Sequence, residues 1–274
     1  MQKNIYLNKI GFMQGRLVDQ IKNNIQYFPD QNWFQEIEIA KRNKFRIMEW
    51  TINYENIKKN PLFSGDIKKI KKLKNFKIKT VTCDFFMQKP FFKKRYVQKR
   101  KNYINDLLKV IKNCNRLNLN YLILPLVDNS SIKNSEEENQ LIKNLKKKIL
   151  PNLKKLKILF EIDYPPEKIL TFIKKFKSKK VGINYDTGNS AGLNYNFDDE
   201  KVYFKYVRNI HIKDRIKFGL TIRLGNGSWN YKKFFKFIKK SKYRGFFILQ
   251  TARAKNKEHE KELNINRKFL SKYL

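Results

Sequence analysis

Glycine, proline, cysteine and histidine are all scarce in this chain, at 10, 7, 2 and 2 of 274 residues. Few breakers mean few breaks, so each glycine or proline that does occur marks a boundary. Cys83 and Cys114 sit in strand-like and helix-like apolar contexts without metal-ligand spacing. Buried free thiols in a reducing cytoplasm are the expectation. No stretch approaches the ~18 consecutive apolar residues of a transmembrane helix. The first residues, MQKNIYLNKIGFMQGRL, lack the apolar core and small-residue site of a secretory signal. No polar or Gly/Ser-rich spacer divides the chain, which predicts one domain over residues 1–274.

Acidic side chains are also few: 24 Asp and Glu face 62 Lys and Arg, a formal charge of +38. Such an excess suits nucleic acid or an anionic membrane surface. The lysines are nevertheless spread over nearly every expected helix and form no single stripe. Lys, Asn, Ile, Phe and Tyr, all abundant here, share A/T-rich codons, so coding bias accounts for the excess more simply. Runs such as IKKIKKL at 67–73 read as solvated outer faces with an apolar inner stripe.

What the chain has is regular alternation. Short apolar runs are expected as strands at residues 9–13, 46–52, 77–85, 121–127, 157–162, 181–185, 208–212 and 246–249. Amphipathic stretches follow at 32–44, 64–74, 94–116, from 135, 165–177, 198–206, 230–242 and 257–274. Ser64 and Ser135 are expected as N-caps. Strand-then-helix repeated eight times predicts an α/β fold, a (β/α)₈ TIM barrel. At 41% hydrophobic with 22 Phe and 14 Tyr, its core is built largely of rings.

In such barrels chemistry sits at the C-terminal strand ends. The polar residues there are Gln14 and Arg16, then Glu49, Asp84, Asp128 and Asn129. Glu161 and Asp163 follow, then Asp186 and Asn189, then His211, Asp214 and Arg215, and last Gln250 and Arg253. A carboxylate inside an apolar strand is costly unless paired or metal-bound. Glu161, Asp186, His211 and Gln250 come from four consecutive strands, an oxygen-rich set suited to one divalent ion: Mn²⁺, Mg²⁺ or Co²⁺, with Zn²⁺ also open.

The stretches IGFMQGRL (10–17), LPLVDNSS (124–131), FEIDYPP (160–166), VGINYDTGNSAGL (181–193), NIHIKDR (209–215) and ILQTARA (248–254) resemble the sugar-phosphate isomerase/epimerase family of xylose-isomerase-like barrels. The resemblance runs through all eight units. It implies metal ligands at Glu161, Asp186 and His211, with Glu161 as catalytic base. It also implies a small sugar or sugar-phosphate substrate, and related barrels often pair as homodimers. The family's fourth ligand, a second Glu, is Gln250 here. Its carbonyl can bind a metal, but it cannot be a base. That favours a one-base 1,2-proton shift over a two-base scheme.

Substrate contacts are expected from Gln14, Arg16, Glu49, Asp84, Asn189, Asp214, Arg215 and Arg253. Each has a structural alternative: Glu49 and Asp84 as core hydrogen-bonding groups, Asp214 and Arg215 as a pair at the mouth, Arg16 and Arg253 as rim salt bridges. His259 reads as a surface residue, and Gly225-Asn226-Gly227 as a loop turn. Two other functions use the same barrel. One is a non-catalytic sugar-binding protein with Gln250 marking lost chemistry. The other is an abasic-site endonuclease, whose three-metal centre needs more histidines than two. No specific nucleic-acid partner is therefore expected.

Overall fold

The computed structural model describes residues 6–21, 24–254 and 256–274. Among these, eight parallel strands close into a barrel: β1 (Ile10–Met13), β2 (Ile47–Thr51), β3 (Lys77–Thr82), β4 (Tyr121–Leu126), β5 (Lys157–Ile162), β6 (Val181–Asp186), β7 (Val207–Ile212) and β10 (Phe246–Leu249). The ring closes where β1 pairs with β10. A small antiparallel hairpin, β8 (Asp214–Arg215) with β9 (Thr221–Ile222), follows β7. The expected (β/α)₈ barrel is the observed fold.

The helices are α1 (Trp33–Arg42), α2 (Pro61–Ser64), α3 (Lys68–Lys71), α4 (Asp84–Gln88), α5 (Arg100–Arg116), α6 (Ser135–Asn144), α7 (Pro166–Lys174), α8 (Thr187–Gly192), α9 (Phe197–Glu200), α10 (Tyr231–Lys240) and α11 (His259–Ser271). Two expected caps move. Ser64 ends α2, whose cap is the Asn60 side chain; α6 is capped by Asn134, which accepts from Glu137 N. The helix expected over 64–74 divides because Gly65 takes a left-handed conformation at φ 91°. The third strand stops at Thr82, since Asp84 already begins α4. Among the described residues no helix is long and apolar enough to cross a membrane.

Alternation along each strand divides the core in two. Outward residues meet the helices: Phe160 packs on Phe172 at 5.2 Å, and Tyr185 stacks on Phe234 at 5.6 Å. A separate small cluster of Met13, Ile47 and Ile248 fills the barrel interior. Gly11 shares that layer, where a Cβ would lie 2.8 Å from Ile47 Cγ2 and 2.9 Å from Ile248 Cδ1. Being covered on both faces, the strands read as nearly continuous apolar runs. The same alternation that sends Phe160 and Tyr185 outward sends Glu161, Asn184 and Asp186 inward.

Candidate active site at the C-terminal strand ends

One oxygen of Glu161, one of Asp186 and one ring nitrogen of His211 all lie within 4.8 Å of one another, on fully buried residues. These ends of β5, β6 and β7 are held by the barrel register, which places Asp186 beside His211. Asp186 divides its two oxygens. Oδ1 accepts from the backbone of Gly188 (2.7 Å) and Asn189 (2.9 Å), capping α8. Oδ2 is buried and has no hydrogen-bond partner among the described residues. The carboxylate thus forms the turn with one oxygen and keeps the other without a hydrogen bond. Glu161 accepts from Asn189 Nδ2 at Oε1 (2.9 Å) and from Asn184 Nδ2 at Oε2 (3.0 Å).

Behind the triad lies Glu49. Its Oε1 is 2.7 Å from His211 Nε2 and takes Thr82 Oγ1 at 2.6 Å; its Oε2 takes Asn209 Nδ2 at 2.9 Å. An ionised carboxylate can only accept, so Nε2 carries the imidazole proton. That leaves Nδ1, 3.0 Å from Glu161 Oε2, facing the triad. Burial alone would lower the His211 pKa. The charge of Glu49 and the bonds to both carboxylates override it and push it up to about 10. Burial opposes ionisation of Glu49 and Glu161 too, but His211 holds both below the usual range. Asp186 goes up, through burial and the Glu161 charge against the pull of Lys213 and His211.

Glu161 opens onto a cavity of about 460 Å³, lined also by Gln26, Asp84, Asn189, Lys213 and Gln250, while Asp186 and His211 lie off its wall. That volume suits a small-molecule ligand. Asp84, Asn189, Arg215, Glu161 and Gln250 stand on this wall. Gln14, Arg16, Glu49, Asp214 and Arg253 do not. Gln14 is buried, with Oε1 accepting from Thr51 N at 3.0 Å. The Arg16 guanidinium donates to the carbonyls of Thr251 and Ile25, and that of Arg253 to Gly15 and Val18. These bonds tie the segment after the first barrel strand to the segment after the last. Arg215 reaches the wall but donates through Nε and Nη2 to Gly219 O.

Asp214 organises the mouth from below. Its carboxylate accepts the backbone N–H groups of Arg215, Gly225, Gly227 and Trp229 at 2.9–3.3 Å. The structural alternative of an Asp214–Arg215 side-chain pair is replaced by this loop clasp, and 225–227 lies in the loop turn. Asp214→Ala would leave those donors without their acceptor. The expected cost is roughly 2–4 kcal/mol, since bonds to a charged acceptor are among the stronger ones. It should be read as a lower urea midpoint at unchanged slope.

A family model described as xylose isomerase-like TIM barrel matches residues 37–273. The chain belongs to the xylose isomerase-like TIM barrel family. Among curated proteins, a probable endonuclease 4 of Persephonella marina is 24% identical over 183 residues, which is 57% of this chain. The match spans 64% of that protein, less than two thirds of its length. Among solved structures, the IOLI protein with a bound zinc atom superposes with TM-score 0.73 at 15% identity, covering 97% of this chain and 99% of that one. The D-allulose 3-epimerase of Methylomonas sp. gives 0.72 at 12% identity, covering 97% and 98%. At these identities the structural likeness shows the fold alone.

The residues of this xylose isomerase-like barrel fit a divalent cation. Asp186 Oδ2 in the triad and Gln250 Oε1 at the end of β10 are buried and lack hydrogen-bond partners among the described residues. Buried acceptors in that condition are costly unless a cation takes them up. Lys213 Nζ stands 3.6 Å from Asp186 Oδ2. Gly188 admits it, because a Cβ there would lie 2.5 Å from Lys213 Cγ. Lys213, Gln26, Asn184 and Asn209 escaped sequence reading. Asn184 and Asn209 could have been found, since each is a lone amide on the inward face of an apolar strand. Gln26 lies in a loop and carries no such signal.

Proposed function

We propose that this barrel is a divalent-metal-dependent isomerase of a small sugar, working by proton abstraction next to a carbonyl. The observation that carries the reading is Asp186 Oδ2, buried without a hydrogen bond beside Glu161 and His211, with Glu161 opening onto the cavity. Glu161, Asp186, His211 and Gln250 would hold the ion, with Mn²⁺, Mg²⁺, Co²⁺ and Zn²⁺ all compatible with this donor set. Bound there, the ion supplies a Lewis acid that polarises the substrate carbonyl.

The chain's own residues do the rest. Glu161 takes the proton from the carbon beside the carbonyl. Asn189 and Asn184 hold its two oxygens in place, and Glu49 fixes the His211 ring. Asp84, Asn189 and Arg215 line the space for sugar hydroxyls. With Arg16 and Arg253 bound to backbone carbonyls, an unphosphorylated sugar suits the wall better than a sugar phosphate. Gln250 has no acidic proton to give, which favours a 1,2-shift over epimerisation.

The likeness to an endonuclease raises a second reading, abasic-site cleavage. Histidine supply speaks against it: His259 lies on α11 with Nε2 2.9 Å from Asp19, leaving His211 in the site. The test is incubation of Mn²⁺-loaded protein with D-fructose, D-allulose, D-tagatose and L-ribulose, and separately with abasic duplex DNA. The expected result is a new aldose signal by NMR and intact DNA. Conversion of no sugar would leave the non-catalytic binding barrel, and metal-dependent nicking would favour the nuclease.

A further inference from the structure

Gln250 directs its NH₂ group to the loop after β1. Its Nε2 donates to Gln26 Oε1 at 2.9 Å, and Gln26 Nε2 donates in turn to Asp84 Oδ2 at 2.8 Å. The relay runs from the end of β10, through a residue of the loop after β1, to the first residue of α4 beyond β3. Its direction depends on residue 250 being an amide. An ionised acid there could not donate to the Gln26 carbonyl, and Gln26 would lose the bond that turns its own NH₂ toward Asp84. The residue that departs from the family pattern is thus tied by hydrogen bonds to an acid on the same cavity wall. The wall carries two further aspartates, but Asp128 is exposed and Asp163 half-buried, whereas Asp84 is buried.

We propose that Asp84 is the second proton-transfer residue of this site, carrying the proton between the two substrate oxygens, with Gln26 and Gln250 as its positioning residues. This rests on the isomerase reading given above. As Glu161 takes the proton from carbon, the C–H pair forms the C=C bond. The carbonyl oxygen then takes the Asp84 proton, giving a neutral enediol. On return, ionised Asp84 accepts the proton of the neighbouring hydroxyl, whose O–H pair forms the new C=O. The C=C pair takes the Glu161 proton at the other carbon. Both carboxyls are restored, nothing is oxidised or reduced, and an aldose and a ketose interconvert.

The surroundings keep a proton available at neutral pH. Burial raises the Asp84 carboxyl to about 7, and the charge of Glu161 on β5 adds to it. The Gln26 hydrogen bond, His211 on β7 and Arg16 after β1 pull the other way. Lys213 and Arg215 share the wall without touching this relay. General acid–base groups work best with a pKa near the working pH.

The experiment compares wild type, Asp84→Asn and Asp84→Glu, each loaded with Mn²⁺, on the four ketoses in D₂O. Asp84→Asn should lower kcat about 100-fold, with Asp84→Glu recovering part of it. Mn²⁺ content and the urea midpoint should stay at wild-type values, because Asp84 holds neither the ion nor the sheet. The wild-type rate should fall as rising pH takes the Asp84 proton, and that limb should vanish in Asp84→Asn. In metal-free protein without sugar, the one carboxyl ¹³C signal lost in Asp84→Asn should titrate near 7. Wild-type kcat and an unchanged alkaline limb in Asp84→Asn would overturn the Asp84 role and leave the isomerase reading standing. A wild type that neither converts these sugars nor exchanges their carbon-bound hydrogen would overturn both.

Discussion

Glu161→Gln should lower turnover by about three orders of magnitude, within the range lost when a positioned general base is removed. The amide has the size of the carboxylate but no lone pair basic enough to take a carbon-bound proton. Asn189 Nδ2 and Asn184 Nδ2 each donate to one Glu161 oxygen, so the glutamine must present NH₂ to one of those donors. The damage is local, since the rest of β5 packs through Ile158, Phe160 and Ile162. The urea midpoint should therefore move little while kcat collapses. Steady-state kinetics beside equilibrium unfolding separates the two effects. A variant that turns over at the wild-type rate would remove Glu161 from the role of base.

The second large effect is on metal content. Wild type stripped by chelator and dialysed against Mn²⁺ should retain about one ion per chain, and His211→Ala close to none. Losing a partner behind a ligand typically costs ~10–100-fold in affinity, and losing the ligand itself should cost more. The change removes the nitrogen that Glu49 points at Glu161 and Asp186. It also takes the His211 bond from Glu49, whose bonds to Thr82 and Asn209 remain. Uptake must displace a proton from an imidazole whose pKa the two carboxylates raise to about 10. Binding should thus release protons and weaken as pH falls. Elemental analysis with a pH series of binding isotherms checks both. Full Mn²⁺ occupancy in His211→Ala would place the ion elsewhere.

The expected strands at 157–162 and 246–249 form with those bounds, and the other six shift by one to three residues at an end. They were legible because a strand buried on both faces writes itself as a short apolar run, whatever it pairs with. The helix over 64–74 was misread because a left-handed Gly65 looks no different in sequence from any other glycine. Glu161, Asp186 and His211 stood out for a simple reason: an ionisable group in an apolar strand needs a partner.

Partners themselves were not legible. Glu49 lies 162 residues from His211 and Gln250 lies 224 from Gln26. Glu36 shows the same limit: it reads as one more acid on an amphipathic helix. In the fold it is fully buried, accepting from Gly15 N and Leu17 N, and burial raises it to about 7. Glu200 follows two aspartates in sequence, yet takes the hydroxyls of Tyr185, Ser190 and Tyr203. By itself the sequence determined the barrel and which ionisable groups its strands carry inward, because both follow from periodicity and burial cost within a few residues. Tertiary structure alone decided that Arg16, Arg253 and Asp214 hold backbone, and that Asp84 joins the cavity through Gln26. Those outcomes depend on which strand ends the closed barrel brings within hydrogen-bond reach, a distance that no local pattern records.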